Sequence, residues 1–260
     1  MAVEAPKIQA IYRYPVKGLA PEPMSAVALA PGRTLPADRL YAIENGPSGF
    51  SPAEPKWLPK PHFLMLMRDE WLAGLRTRFD DATSVLSINH NGRIVAQGKL
   101  ATPEGRRTIE NFFASTFPDL IKGPPEVLES PGHSFSDVAR KVVSIINLAS
   151  VRAIENMVGA PVHPLRFRAT LYVEGGPAWH EFDLVDHRLA IGDVRLKVVK
   201  RITRCAATNV DPDTAARDLG IPQELMRRLG HNECGIYAEV IARGEIAVGD
   251  TIAAEQPALL

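Results

Sequence analysis

The 260-residue chain predicts a mainly β fold of the α+β class, built as two β-barrel-like units with a few short helices. Two observations carry this. Twenty-two prolines and nineteen glycines cut the chain into many short segments. Most of those segments alternate apolar with polar residues, which is the period of a half-buried strand rather than of a helix.

The run KIQAIYRYPV (7–16) sets Ile8, Ala10 and Tyr12 against polar neighbours until Pro15 ends it. MSAVALAPG and RLYAIENG read as further strands, closed by Pro31-Gly32 and Asn45-Gly46. Asn91-Gly92 lies between two alternating runs in 84–98, a strong hairpin signal because both residues accept positive φ. RRTIENFFASTF places Ile109, Phe112 and Phe113 on one helical face, so a helix follows the strands of the first unit. The stretch 118–137, rich in proline and glycine, is the expected domain connection and sets the expected units at 5–125 and 126–256.

In the second unit, KVVSIINLASVRAIENMVG runs from an apolar strand into a helix. Ser150 is the expected cap, Val151, Ile154 and Val158 repeat at helical spacing, and Gly159 stops the helix. RFRATLYVEGG, HRLAIGDVRLKVVKRITRC and CGIYAEVIARGEIAVGDTI read as strands. Between the last two, IPQELMRRLG has proline in its first turn and glycine just past its end, so it reads as a helix.

Thirty basic residues balance thirty acidic ones, so no overall field draws the chain to nucleic acid or to an anionic membrane. Neither partner is expected, and any anion must be held by a local cluster. The opening residues lack a charged-then-apolar leader, and no apolar run approaches the roughly 18 residues that span a bilayer; a cytoplasmic location is expected. Two cysteines make neither a disulfide framework nor a cysteine-ligated iron–sulfur cluster, which takes about four thiolates. The seven histidines show no His-x-x-x-His or His-Glu-x-x-His spacing, so zinc hydrolysis is not predicted.

Attention falls on RITRCAATNVDPDT (201–214). Lys197, Lys200, Arg201 and Arg204 precede Cys205, and turn formers follow it. Nearby cations favour a thiolate, which is a soft metal ligand or a nucleophile. Composition alone also permits a buried thiol beside a solvated basic stripe. Cys234, in HNECGIY, has no second ligand pair and reads as structural.

RCAATNVDP (204–212) resembles the Arg-Cys-x-x-Thr-x-Val-Asp-Pro signature of MOSC domains, a fold named after the C-terminal domain of molybdenum cofactor sulfurases. YPVKG (14–18) and DRLYAI (38–43) resemble strand motifs of the N-terminal β-barrel domain that precedes MOSC in this family. FSD (135–137), LAS (148–150), FRATLYV (167–173), WHE (179–181) and IAVGDTI follow in the family's order. The resemblance is to the two-domain members, which include the mitochondrial amidoxime-reducing component and its bacterial counterparts.

That resemblance implies a molybdenum protein in which Cys205 ligates the metal of a molybdenum–pterin cofactor. It implies Lys17, Arg39 and Arg168 as anchors for the anionic cofactor, with Arg204, Thr208, Ser136 and Asn147 bordering it beside Asp137. Asp211 has two readings: a catalytic group near the metal, or a turn residue bonded to its own backbone. Four positions depart from the family's usual residues: Gly18 for serine, Ala169 for proline, Asn209 for threonine, and Arg166 where a neutral residue is common.

The implied activity is that of an oxidoreductase, reducing small N-hydroxylated compounds by oxygen-atom transfer at the cysteine-ligated molybdenum. With no iron–sulfur ligands and no dinucleotide fingerprint, it requires a separate electron-donor protein. The alternatives are a sulfur carrier, with a persulfide on Cys205 supplied by a pyridoxal-phosphate desulfurase, and a non-catalytic carrier of the cofactor.

Overall fold

A computed structural model describes residues 5–255. The first four residues of the stretch searched for a leader, and the last position of the expected second unit, lie outside the described residues. In chain order the elements are β1 (Lys7–Arg13), β2 (Glu22–Met24), β3 (Ala26–Leu29), β4 (Tyr41–Asn45), β5 (Arg76–Asp80), β6 (Val85–His90), β7 (Arg93–Lys99), helix α1 (Pro103–Thr116) and β8 (Pro125–Glu129). They continue as β9 (Val143–Asn147), helix α2 (Leu148–Val158), β10 (Leu171–Glu174), β11 (Arg188–Ile191), β12 (Val194–Thr203), helix α3 (Ile221–Leu229), β13 (Glu233–Ala242), β14 (Gly244–Ala247) and β15 (Ala253–Glu255). The fold is mainly β with three α-helices among the described residues, as the alternation predicts.

Local chemistry accounts for most boundaries. The β6–β7 hairpin turns at Asn91 (φ 53°) and Gly92 (φ 78°), the paired positive angles of a tight two-residue turn. In α1, the Thr102 hydroxyl accepts from the Gly105 amide at 3.2 Å, Pro103 opens the first turn, and Ile109 and Phe113 are buried. The helix lies almost backbone to backbone on β7, since a Cβ at Gly98 would sit 2.2 Å from the Gly105 carbonyl oxygen. Two details differ from the sequence reading. The cap of α2 is Asn147, whose side chain accepts from the Ala149 amide at 2.9 Å. Ser150 instead lies buried inside the helix and donates to the Glu181 carboxylate at 2.8 Å. The stretch 118–137 is more than a connection: it contains β8, paired antiparallel along its whole length with β4.

Eight strands form one curled sheet in the order β15-β11-β12-β13-β9-β10-β1-β2. Only β9 and β10 run parallel in it, and α2 lies in the crossover that such a pair needs. The chain around Asp250 and Ile252, leading into β15 at one end, bonds Ile8 and Pro6 beside β1 near the other. The sheet is thereby drawn into a half-barrel over a core that includes Ile8, Ile11, Val143, Leu171, Val198 and Ile236. A second core, with Tyr41, Leu64, Phe79, Leu86 and Phe113, is enclosed by β4–β8, the β5-β6-β7 sheet and α1. Among the described residues no helix is long and apolar enough to cross a membrane.

Candidate functional site

A cavity of about 350 Å³ is lined by residues from both halves of the sequence. The first half contributes Lys17, Arg39 and Lys60; the second contributes Arg166, Arg168, Lys200, Arg201 and Arg204. Asp38 and Asp137 are its acidic members. A chain with no net charge therefore gathers eight cations against two anions around one cavity, which makes that cavity a local anion trap.

Its floor is organised around Tyr14, fully buried at the end of β1's run. The guanidiniums of Arg39 and Arg168 both sit over the Tyr14 ring, at 4.4 and 4.3 Å. Both arginines are left-handed, each with φ 51°, a conformation that costs a non-glycine residue about 1–2 kcal/mol. The surroundings hold them there. Arg39 donates its amide to Tyr14 O at 2.7 Å, one guanidinium nitrogen to both Asp38 oxygens, and another to Arg168 O at 3.0 Å. Arg168 in turn donates to Leu19 O at 2.8 Å. Strained backbone kept in place by a dense local network is a mark of a functional position.

Lys17 donates to Phe135 O at 2.8 Å and pairs with Asp137 at 2.5 Å. Burial lowers the Lys17 pKa in spite of that partner. One carboxylate does not fully repay the desolvated ammonium, so a further anion in the cavity is favoured. At Asp137 the surrounding protein works against the charge, but Lys17, Lys60 and Arg39 outweigh it and hold the pKa at about 2. The side chain keeps 52% of its exposure because it faces the open cavity. Asp137 therefore adds stability above the ordinary aspartate range that is lost as pH falls towards about 2. The contribution of so open a pair is at most about 1 kcal/mol. Urea unfolding of wild type and Asp137→Asn should thus differ by that amount at about pH 6 and converge near pH 2.

Cys205 follows β12, whose pairing with β13 slips between Val198 and Lys200 and again between Arg201 and Thr203. These irregularities bracket Lys200 and Arg201, consecutive exposed residues that both reach the cavity. Cys205 is half-buried, lines the cavity and precedes a 3-10 turn over Ala206–Asn209. The Thr208 hydroxyl donates to Cys205 O at 2.9 Å and tightens that turn. Behind it, buried Arg166 donates to Asn209 O at 3.0 Å, to Asp218 at 2.8 Å and to Asp211 at 2.8 Å, clamping the cysteine loop from three sides. Arg204 donates to Cys234 O at 2.8 Å and Phe167 O at 2.9 Å.

The structure thus brings Lys17, Arg39, Ser136, Arg168, Arg204, Cys205 and Thr208 to one cavity. It sets Asn147 apart, as the α2 cap that also donates to Pro177 O. Asp211 accepts from the amides of Asp213 and Thr214 and from Arg166, so it holds the loop rather than lining the cavity. Cys234 is fully buried, and burial pushes its thiol up to about 12. Lys60 was invisible in the sequence. It comes from a proline-rich loop and lines the cavity together with Cys205; burial opposes its charge, yet Asp137 and Cys205 raise its pKa above the ordinary lysine value.

Three family departures acquire physical reasons. Gly18 has φ +85°, and a Cβ there would lie 2.6 Å from Leu64 O, leaving no room for serine. The Ala169 amide donates to the Tyr172 hydroxyl at 3.1 Å, a bond proline lacks. The Asn209 side chain accepts from Ile221 N at 3.0 Å and ties the cysteine loop to α3.

The donor set fits a molybdenum–pterin cofactor: a half-buried thiol for a soft metal, surrounded by cations for an anionic phosphate. Arg166 Nε and Arg204 Nη2 are buried without a hydrogen-bond partner, and both belong to cavity-lining residues. Among the described residues there is no cluster of three or more His, Cys, Asp or Glu that could hold a metal by itself. One thiol supplemented by an organic ligand suits this site better than an all-protein cage.

The MOSC domain family model matches residues 130–253. Mitochondrial amidoxime reducing component 2 of Bos taurus is 31% identical over 124 residues, 42% of this chain and 36% of that protein, so the match spans about a third of the relative's length. Among solved structures, the YuaD protein from Bacillus subtilis aligns over 98% of both chains at 14% identity, with a TM-score of 0.46. YiiM from Geobacillus stearothermophilus aligns over 44% of this chain and 54% of its own at 15% identity, with a TM-score of 0.34. The chain thus carries, at residues 130–253, a region that matches the MOSC domain family.

Proposed function

We propose that the cavity binds a molybdenum–pterin cofactor with Cys205 as the protein ligand to molybdenum, and that the protein reduces small N-hydroxylated compounds in the cytoplasm. The observation that carries this reading is the placement of Cys205 in the same cavity as Lys17, Arg39, Arg168 and Arg204. The name of the bovine relative, an amidoxime reducing component, supports the reaction class. When bound, the cofactor supplies a two-electron redox centre that accepts oxygen from an N–O bond.

The protein's own residues bind and orient. Arg39 and Arg168, fixed on Tyr14, present cations for the cofactor phosphate, and Lys17 adds a desolvated point charge. Arg204, tied to Cys234 O and Phe167 O, adds a further cation to the same lining. Thr208 and Arg166 hold the cysteine loop, and Asp211 acts through Arg166 as a positioning residue. Asp137, ionised at neutral pH, accepts hydrogen bonds and does not donate a proton. The overall change is R–NHOH + 2 e⁻ + 2 H⁺ → R–NH₂ + H₂O. The electrons are assigned to a separate donor protein, since two cysteines are too few for an all-cysteine iron–sulfur cluster.

Elemental analysis tests this on protein purified from a host that makes the cofactor. The expected result is near-stoichiometric molybdenum in wild type and its loss in Cys205→Ala, with hydroxylamine reduction, driven by an artificial donor, lost alongside. Metal-free wild type overturns the reading and directs the search to a persulfide on Cys205.

A further inference from the structure

Beside the cation cavity lies a second depression of about 560 Å³, whose walls include Trp57, Val138, Ala139, Val199 and Arg140. Asp137, Val138, Val142, Lys200 and Tyr237 line both, so the two are continuous. Their chemistry differs sharply. The first is ringed by cations around Cys205; the second is walled by two aromatic rings and aliphatic side chains, with charge confined to Asp137, Arg140 and Lys200. Arg140 is itself paired with Glu239 at 3.4 Å, which leaves the depression without a strong anion trap of its own.

Trp57 is the unusual element. It is a large apolar side chain, 41% exposed, in a proline-bracketed loop. It does not wander, because the indole Nε1 donates to Ser136 O at 3.2 Å, and Ser136 lines the cation cavity. The other two tryptophans pack inward, Trp71 against Phe117 at 4.0 Å and Trp179 against Phe182 at 5.7 Å. Across the depression, Tyr237 is half-buried on β13, with the Lys200 ammonium 5.9 Å from its ring centroid. A pinned, part-exposed indole facing a cavity that leads to Cys205 is suited to grip a flat apolar group.

We propose that this depression is the subsite for the organic part of the substrate, that it takes an uncharged aromatic group, and that Trp57 is a specificity-determining residue. The inference rests on the redox reading above, which assigns the N-hydroxyl end of the substrate to the cavity containing Cys205. It narrows the substrate class from small N-hydroxylated compounds in general to aryl ones.

The experiment compares N-phenylhydroxylamine with N-methylhydroxylamine on protein from a cofactor-producing host. Isothermal titration without reductant should show tighter binding of the phenyl compound. Trp57→Ala should weaken phenyl binding about tenfold, or about 1.4 kcal/mol, and Trp57→Phe should retain most of it. With a reductant supplied, the ratio of kcat/KM for the phenyl over the methyl compound should fall by a similar factor in Trp57→Ala. Equal binding of the two compounds by wild type, or a phenyl preference unchanged in Trp57→Ala, overturns the subsite even if molybdenum and turnover are present. Because the titration needs neither metal nor reductant, a metal-free protein with an intact, Trp57-dependent phenyl preference upholds the subsite and overturns the redox reading instead.

Discussion

Replacing Arg166 with alanine should cost about 3 kcal/mol of folding stability, the lower end of what breaking a buried ion pair costs. The arginine side chain is 1% exposed and faces two carboxylates, Asp211 and Asp218, whose side chains are 18% and 46% exposed. Removing the cation strands Asp211 and the Asn209 carbonyl, while Asp218 can turn to water; that escape places the loss at the low end. Arg166→Lys should not restore it, because an ammonium cannot span Asn209 O and both carboxylates as the planar guanidinium does. Urea unfolding checks this: the midpoint should fall with the slope unchanged. The loss should also appear locally, as faster proteolysis between Cys205 and Asp218, since the clamp is what ties this irregular stretch to the rest of the fold. A loss below about 1 kcal/mol would mean that the clamp behaves as an ordinary surface pair.

The same arginine shows where the sequence is readable and where it is not. Arg166 stood out in the sequence only as an extra cation. Its partners lie 45 and 52 residues away, and nothing local announces that they converge. Strands with strict alternation, the Asn91-Gly92 hairpin and helix α1 were legible because their signals are local: side-chain period, turn chemistry and a cap. Ser150 and Asn147 are both good capping residues three positions apart. The choice between them was made by Glu181, 31 residues from Ser150, whose buried carboxylate takes up the serine hydroxyl. Cys205, Lys17, Arg39 and Arg168 were legible because they sit inside short recognisable blocks. Lys60 and Trp57 were not. They belong to a proline-rich loop without periodicity, and only the packing of that loop over the cavity gives them a role. Similarly, β8 was hidden because the Pro124-Pro125 pair argues against a strand, yet Pro125 occupies the first position, where a strand tolerates it.

Gly235 sets the second large expectation, because it is the point at which the half-barrel touches the site. It lies on β13 directly after Cys234, with φ +77°. A Cβ there would fall 2.6 Å from Ile145 O on the neighbouring strand β9 and 3.0 Å from Arg204 Nη2. The first of these atoms is backbone inside a paired sheet and cannot swing aside; the second belongs to a side chain fastened by Cys234 O and Phe167 O. Gly235→Ala should therefore cost about 3 kcal/mol or more, the sum of left-handed backbone strain and overpacking in a closed core. Gly230→Ala separates the two contributions. That residue caps α3 at φ +75°, nearly the same angle, but an added Cβ meets nothing within 4 Å, so only the conformational cost of about 1–2 kcal/mol applies. If urea unfolding shows the two variants equally destabilised, the sheet yields at β13 and Arg204 is not wedged in place. If Gly235→Ala loses substantially more, the tight seat of Arg204 is part of what shapes the cavity.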